Sequence, residues 1–419
     1  MKTKYNIMDL FAGCGGLLDG FLQTEKYNDV ASVEWLKPQV NTLRNRLKTR
    51  WNVKDADKRV LHFDMQREDE LFNGWDNDEV YGSSKGLDHF VNKVKGIDII
   101  IGGPPCQAYS TAGRVRDEKG MKEDYRNYLF EHYLSVVNRY RPKMFVFENV
   151  PGMLSAVPDG TPITKLIKDG FESIGYEIID DIKKYAKINA SDFGVPQARK
   201  RLIILGIRKE LSGNAQELLR HFYEVILPKY ESKERVSVKQ AIGNLPKYIP
   251  ILDEESHKKR LAYRVDDTNT NTNIKTTWLE PRYHSLRDMG IFEMLAADLE
   301  SKECKYTDSK ALSKVYEEKV GSKSPIHRYH VLRPDEPSTT IIAHLYKDGN
   351  RFIHYESKQK RTITPREAAR LQSFEDGFDF LGSRGSVYQM IGNAVPPLLA
   401  KMVALAVADL LDEIMKNDR

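Results

Sequence analysis

Through residue 210 the chain alternates short apolar runs with amphipathic stretches. Runs at residues 5–11, 30–35, 59–63, 97–101 and 143–148 predict five strands, and residues 176–185 and 201–207 a sixth and seventh. The densest runs, IDIII and MFVF, are continuous rather than alternating, as expected of strands covered on both faces of a parallel sheet. Residues 17–23 and 38–50 predict helices between the first strands. This order implies an α/β chain: a Rossmann-like, doubly wound, mostly parallel sheet with helices on both faces.

The pattern changes after residue 207. Turn residues become frequent, and residues 266–277 (DDTNTNTNIKTT) are a polar loop. Helical periodicity returns at Thr364, where Thr364, Pro365 and Glu367 suit the cap, first position and third position of a helix ending near residue 373. Residues 398–415 form a second helix whose apolar face needs a partner, expected on the first domain. The expected division is residues 1–207, a smaller irregular domain over 208–384 with the 361–374 block at its base, and a return to the first domain over 385–419.

Composition narrows the classes. The 419 residues carry 65 Lys+Arg against 60 Asp+Glu, a net charge of +5 that permits a polyanionic partner without requiring one. Three cysteines, an odd and sparse set, argue against a disulfide framework and for a reducing compartment. No Cys/His cluster has zinc spacing, so no metal is expected. No run of about 18 apolar residues exists, and the start lacks a signal-peptide cleavage site, so no membrane association is expected.

Four segments carry candidate chemistry. Residues 9–16 read DLFAGCGG: a strand feeds a Gly-rich turn that opens a helix, a pattern that admits a ligand close to the backbone. Glu34, 18 residues past Gly16, ends the second predicted strand and could accept from ribose hydroxyls. Asp64 ends the third and could hold an adenine amino group. Phe11 and Trp35 could flank a base or belong to the core. This signal alone does not separate a dinucleotide from S-adenosylmethionine. Residues 102–107 read GGPPCQ directly after the most apolar strand, so that Pro104 and Pro105 stiffen a turn and aim Cys106 as a nucleophile. Glu148 ends the KMFVFE strand, where partial desolvation favours a protonated carboxyl able to donate to a ring nitrogen. Gln197, Arg199 and Arg201 alternate along an extended segment and face one way.

In order, DLFAGCGG, GGPPCQ, ENV, QARKR, PREAARLQSF and GNAVPP resemble the successive motifs of the cytosine-5 methyltransferase family. The resemblance covers residues 5–207 and about 361–405, and the residues at 125–130 (YRNYLF) fit another family block. It implies S-adenosylmethionine as donor, S-adenosylhomocysteine as product and a covalent mechanism. Cys106 would attack C6 of a flipped-out cytosine, Glu148 would bond N3 and the exocyclic amine, and Arg201 with Arg199 would hold O2 and a phosphate. Asp9, Phe11, Gly13, Gly15, Gly16, Glu34, Trp35, Asp64, Pro104 and Asn393 would hold the cofactor. Gln107, Ser110, Arg114 and Gln197 would meet DNA, with the loop after Cys106 closing as a lid.

Residues 208–360 would then recognise a short duplex sequence. The resemblance is to a stand-alone bacterial modification enzyme, expected in the cytoplasm and paired in function with a restriction endonuclease; a monomer is expected because an enzyme that flips a base out of one strand at a time needs no symmetry. The size of that region favours DNA over tRNA. Two features differ from a minimal family member: residues 66–95 form a longer polar connection, and Tyr109 stands where Phe is more usual.

Overall fold

The computed structural model describes residues 4–105, 129–157, 160–211, 213–268, 274–323, 329–347 and 349–417. They divide into two compact units: residues 1–194, 199–233 and 394–419, and residues 195–198 and 234–393.

The first unit is built on one sheet. Its strands are β1 (Tyr5–Leu10), β2 (Tyr27–Glu34), β3 (Val60–His62), a separate hairpin of β4 (Trp75–Asp78) and β5 (Gly82–Ser84), then β6 (Ile99–Gly102), β7 (Met144–Asn149), β8 (Tyr176–Ile178), β9 (Lys187–Asn189) and β10 (Lys200–Arg208). The sheet order is β3-β2-β1-β6-β7-β10-β8, with β9 also against β10. The first five in that order run parallel, whereas β10 is antiparallel to β7, β8 and β9. The mostly parallel α/β expectation thus holds. The continuous apolar runs are the central strands: every residue of β6 and β7 is buried.

One predicted strand is mostly something else. Residues 176–185 give only the three-residue β8; Asp181 then caps a turn of helix, its carboxylate accepting from the Lys184 N–H.

Register decides where chemistry can occur. Leu10 of β1 lies beside Val33 of β2 on one side and Gly102 of β6 on the other, and Gly102 lies beside Phe147 of β7. The Gly-rich turn, Glu34, the GGPP turn and Glu148 therefore all emerge just past one row, at the carboxyl edge of the parallel strands, where open α/β sheets bind ligands. Because β10 runs the other way, it enters the sheet at this edge and brings Arg201 there from its start.

The helix Gly16–Leu22 packs on the helix Pro397–Asn417. The approach is close enough that a Cβ on Gly20 would stand 2.4 Å from Ala400 Cβ and from the Pro397 carbonyl oxygen. The final helix is long and apolar enough to resemble a membrane span, but Leu399, Val403, Val407, Leu410 and Leu411 are buried inside the unit. Behind the Gly-rich turn, Asp19 accepts from Nε and Nη2 of Arg46, at 2.7 and 3.0 Å, and from the Trp51 indole N–H.

The unit boundaries differ from the sequence division. Residues 208–233 stay with the first unit, because Leu219, Phe222, Tyr223 and Ile226 are buried there and the Tyr223 hydroxyl donates to the Ile203 carbonyl of β10. The return comes at residue 394 rather than 385 because the helix Arg384–Asn393 packs on residues 343–346 and on the helix Pro365–Leu371 of the second unit.

The second unit has a two-stranded ribbon, β11 (Tyr248–Pro250) with β12 (Tyr263–Val265), and the helices Leu286–Glu300 and Ser309–Val320 around a core that includes Phe292, Leu295 and Ile353. Thr364 and Glu367 form the reciprocal cap. Glu367 also binds buried Arg361 through both oxygens, at 2.6 and 2.7 Å.

Candidate active site

The Gly-rich turn needs unusual backbone. Phe11, Gly13 and Gly15 all have positive φ, at 59°, 57° and 91°. The positive φ calls for glycine at Gly15, where a Cβ would also have to displace the Leu43 side chain, 2.5 Å away. Glu34 fixes the turn from the neighbouring strand: its carboxylate accepts from the Gly13 N–H and the Leu36 N–H, each at 2.8 Å. Burial raises the Glu34 pKa, offset by these backbone donors. Cys14 is buried, its thiol pushed up to about 12 by burial, and behaves as a small core residue.

Asp9 lies under the turn at the end of β1. It is buried, and neither carboxylate oxygen finds a hydrogen-bond donor among the described residues. Burial, then the nearby Asp29 and Glu34, raise its pKa far above the ordinary carboxylate value. A buried acid without a partner is costly unless a ligand supplies one. Asp64 is half-buried and accepts from the N–H of Gln66 in its own turn. Trp35 is 48% exposed, and its indole N–H donates to the Tyr81 hydroxyl at 3.0 Å.

On the next strand, Gly102 and Gly103 are dictated by contact. A Cβ at Gly102 would meet the Leu10 carbonyl oxygen at 2.4 Å, and one at Gly103 would meet Glu148 Oε2 at 2.6 Å. The Glu148 carboxyl therefore lies directly against the GGPP turn. Its other oxygen is 2.9 Å from Arg201 Nε, an ion pair in which both side chains are about nine-tenths buried. Burial raises the Glu148 pKa, with Arg201 and then Arg199 opposing; burial lowers that of Arg201, with Glu148 opposing.

Arg199 is fully buried and donates to the Ala394 carbonyl oxygen at 3.0 Å. Asn149 went unassigned in the sequence beyond its place in the ENV motif. Its amide donates to the Pro104 carbonyl oxygen at 3.1 Å, and its own oxygen accepts from the Val150 N–H. The turn that leads to Cys106 is thus tied to the end of β7.

Gln197 does not serve as expected. It is fully buried in the second unit, where its amide donates to the Leu371 carbonyl and to Gln372 and accepts from the Ile341 N–H. That side chain joins three segments of its own unit and leaves too little free for a base. Asn393 ends the helix Arg384–Asn393 of the same unit. Cys106, Gln107, Ser110 and Arg114, with the lid segment, lie outside the described residues.

A model of the C-5 cytosine-specific DNA methylase family matches residues 5–408. The Type II methyltransferase M.Bpa9945I of Bacillus paralicheniformis is 31% identical, over 97% of this chain and 99% of its own. The Type II methyltransferase M1.HphI of Haemophilus parahaemolyticus is 30% identical, over 96% and 86%. Among solved structures, a DNA modification methyltransferase encoded within an E. coli prophage shares the fold, with a TM-score of 0.60 at 24% identity, over 98% and 100% of the two chains.

Proposed function

Since the chain belongs to the C-5 cytosine-specific DNA methylase family, we propose that it methylates C5 of a flipped-out cytosine in a short duplex sequence through a covalent bond between Cys106 and C6. The protein is a DNA (cytosine-5-)-methyltransferase of restriction-modification type. The finer reading rests above all on the buried Glu148–Arg201 pair, 2.9 Å apart, set against the turn that precedes Cys106.

The residues of the carboxyl edge fit S-adenosylmethionine. Asp9 offers a buried carboxyl lacking a donor, Glu34 an acid anchored to the Gly-rich turn, and Gly13 a point of backbone where a Cβ would meet nothing within 4 Å. Glu34 would meet the ribose, Asp64 the adenine amino group, and Asp9 with the glycines of the turn the remainder. Bound there, S-adenosylmethionine supplies the electrophilic methyl group that C5 receives.

The chain's own groups prepare the base. C5 of cytosine is a weak nucleophile until the Cys106 thiolate adds to C6 and a C–S bond forms. Glu148, its carboxyl biased toward the protonated form by burial, hydrogen-bonds N3 and offsets the charge that this attack places on the ring. Arg201 keeps that carboxyl aimed through Nε, donates from Nη1 to the Lys200 carbonyl oxygen at 2.8 Å, and presents Nη2 to O2. After C5 gains the methyl, its proton passes to solvent water, the electron pair re-forms the C5–C6 double bond and the C–S bond breaks, which releases Cys106 as the thiolate. The modified site would be protected from an endonuclease of the same specificity.

The test is transfer of labelled methyl to duplex DNA and, separately, to tRNA, with Cys106→Ala and Glu148→Gln beside the wild type. Label in DNA as 5-methylcytosine within one short sequence, lost in both variants, supports the reading. Label in tRNA alone overturns the substrate, and full activity of Cys106→Ala overturns the covalent step.

A further inference from the structure

Residues 66–95 have no place in the chemistry above, yet they fold onto its edge. β4 and β5 make a hairpin whose turn carries Tyr81. The tip is held from several sides. The Asp78 carboxylate accepts the N–H groups of Val80 and Tyr81, both at 2.9 Å, and also binds Arg67 at 2.6 Å. The Arg67 guanidinium lies over the rings of Phe63 and Tyr81, 4.9 and 5.8 Å from their centroids. Trp75 stacks on Phe63 with centroids 3.7 Å apart, so the base of the hairpin is fixed to the chain that leaves β3.

From this rigid tip Tyr81 reaches the carboxyl ends of two strands. Its ring is edge-on to His62 and Phe63, each 5.1 Å away, just before Asp64. Its hydroxyl accepts from Trp35, just after Glu34, at 3.0 Å. Trp35 and Leu36 are 48% and 41% exposed, two large apolar side chains in succession at the sheet edge where ligands bind. An indole held at its polar end with half its surface open is a preformed wall for a flat ring.

We propose that the hairpin is an outer support for the nucleoside end of the cofactor site, and that Tyr81 is a positioning residue that fixes the Trp35 indole against the adenine. The inference rests on the cofactor placement given above. Tyr81 touches no reacting atom; it acts through Trp35.

The test uses the full-length enzyme and S-adenosylhomocysteine as the probe, with affinity measured by calorimetry and kcat and KM measured with DNA. Tyr81→Phe keeps the ring and removes only the acceptor. It should weaken S-adenosylhomocysteine and raise KM for S-adenosylmethionine about three- to tenfold, while kcat and the KM for DNA stay within about twofold. Trp35→Ala should weaken both further, and the double variant should match Trp35→Ala. If Trp35→Ala binds poorly but Tyr81→Phe binds as wild type, the brace is wrong and the wall stands. If Trp35→Ala also binds as wild type, the cofactor placement at this edge fails and the proposal falls with it.

Discussion

Gly103 and Glu148 occupy space that excludes a methyl group between them: a Cβ on Gly103 would stand 2.6 Å from Glu148 Oε2. The acid and the turn before Cys106 are therefore fitted to one another rather than merely near. Gly103→Ala should push the carboxyl off its place beside Arg201. Methyl transfer is expected to fall about 100-fold, chiefly in kcat, because misplacement of roughly 1 Å at a reacting group has that effect. Binding of S-adenosylhomocysteine should change little. Single-turnover kinetics beside calorimetry check both.

Asn149→Ala removes the donor to the Pro104 carbonyl and frees the GGPP turn. The stability loss should be modest, roughly 0.5–1.5 kcal/mol for the hydrogen bond. The loss of rate should be larger, roughly tenfold or more, since the turn would no longer orient Cys106, the proposed nucleophile. Denaturant unfolding and kcat on the same preparations separate the two, and equal, small losses in both would contradict the argument.

Asp29, buried in β2, has its pKa raised to about 7 by burial, against the opposing charge of Arg59. The folded protein therefore holds a proton that the unfolded chain releases near pH 4. Stability from this group is fully present below pH 4 and is lost as pH rises toward 7. Asp29→Asn should remove that slope. The variant should be more stable than wild type by roughly 2–4 kcal/mol above pH 7, with the difference vanishing near pH 4. Urea unfolding at a series of pH values reads it directly.

Gly20→Ala would raise helix propensity in an isolated helix. Here it should destabilise by about 1–3 kcal/mol, because the new methyl meets Ala400 Cβ and a backbone oxygen at 2.4 Å. Gly20→Ala with Ala400→Gly should recover part of the loss but not all, since the Pro397 carbonyl remains. Thermal unfolding of the three variants provides the comparison.

What the sequence disclosed follows from how local each signal is. β6 and β7 were readable because strands buried on both faces must be apolar throughout. Glu148 and Arg201 were readable as residues, and strand register then made them a pair. The direction of β10 was not readable, since an apolar run has no polarity of its own. Gln197 misled for a related reason. Alternation along an extended segment puts 197, 199 and 201 on one face, but only tertiary packing shows that Gln197 is spent on Leu371, Gln372 and Ile341. The hairpin at residues 75–84 escaped notice because its anchor, Trp75 on Phe63, joins residues from separate elements. The boundary at 233 was missed because periodicity shows that the helix Ala215–His221 has an apolar face without showing which surface covers it.

The pairing of the helix Gly16–Leu22 with the helix Pro397–Asn417 has a consequence for synthesis. The helix that follows the Gly-rich turn is translated well before the helix that covers it. The whole of the second unit is translated between them. A message cut short anywhere before residue 397 yields a chain whose Gly-rich turn and following helix lack this backing.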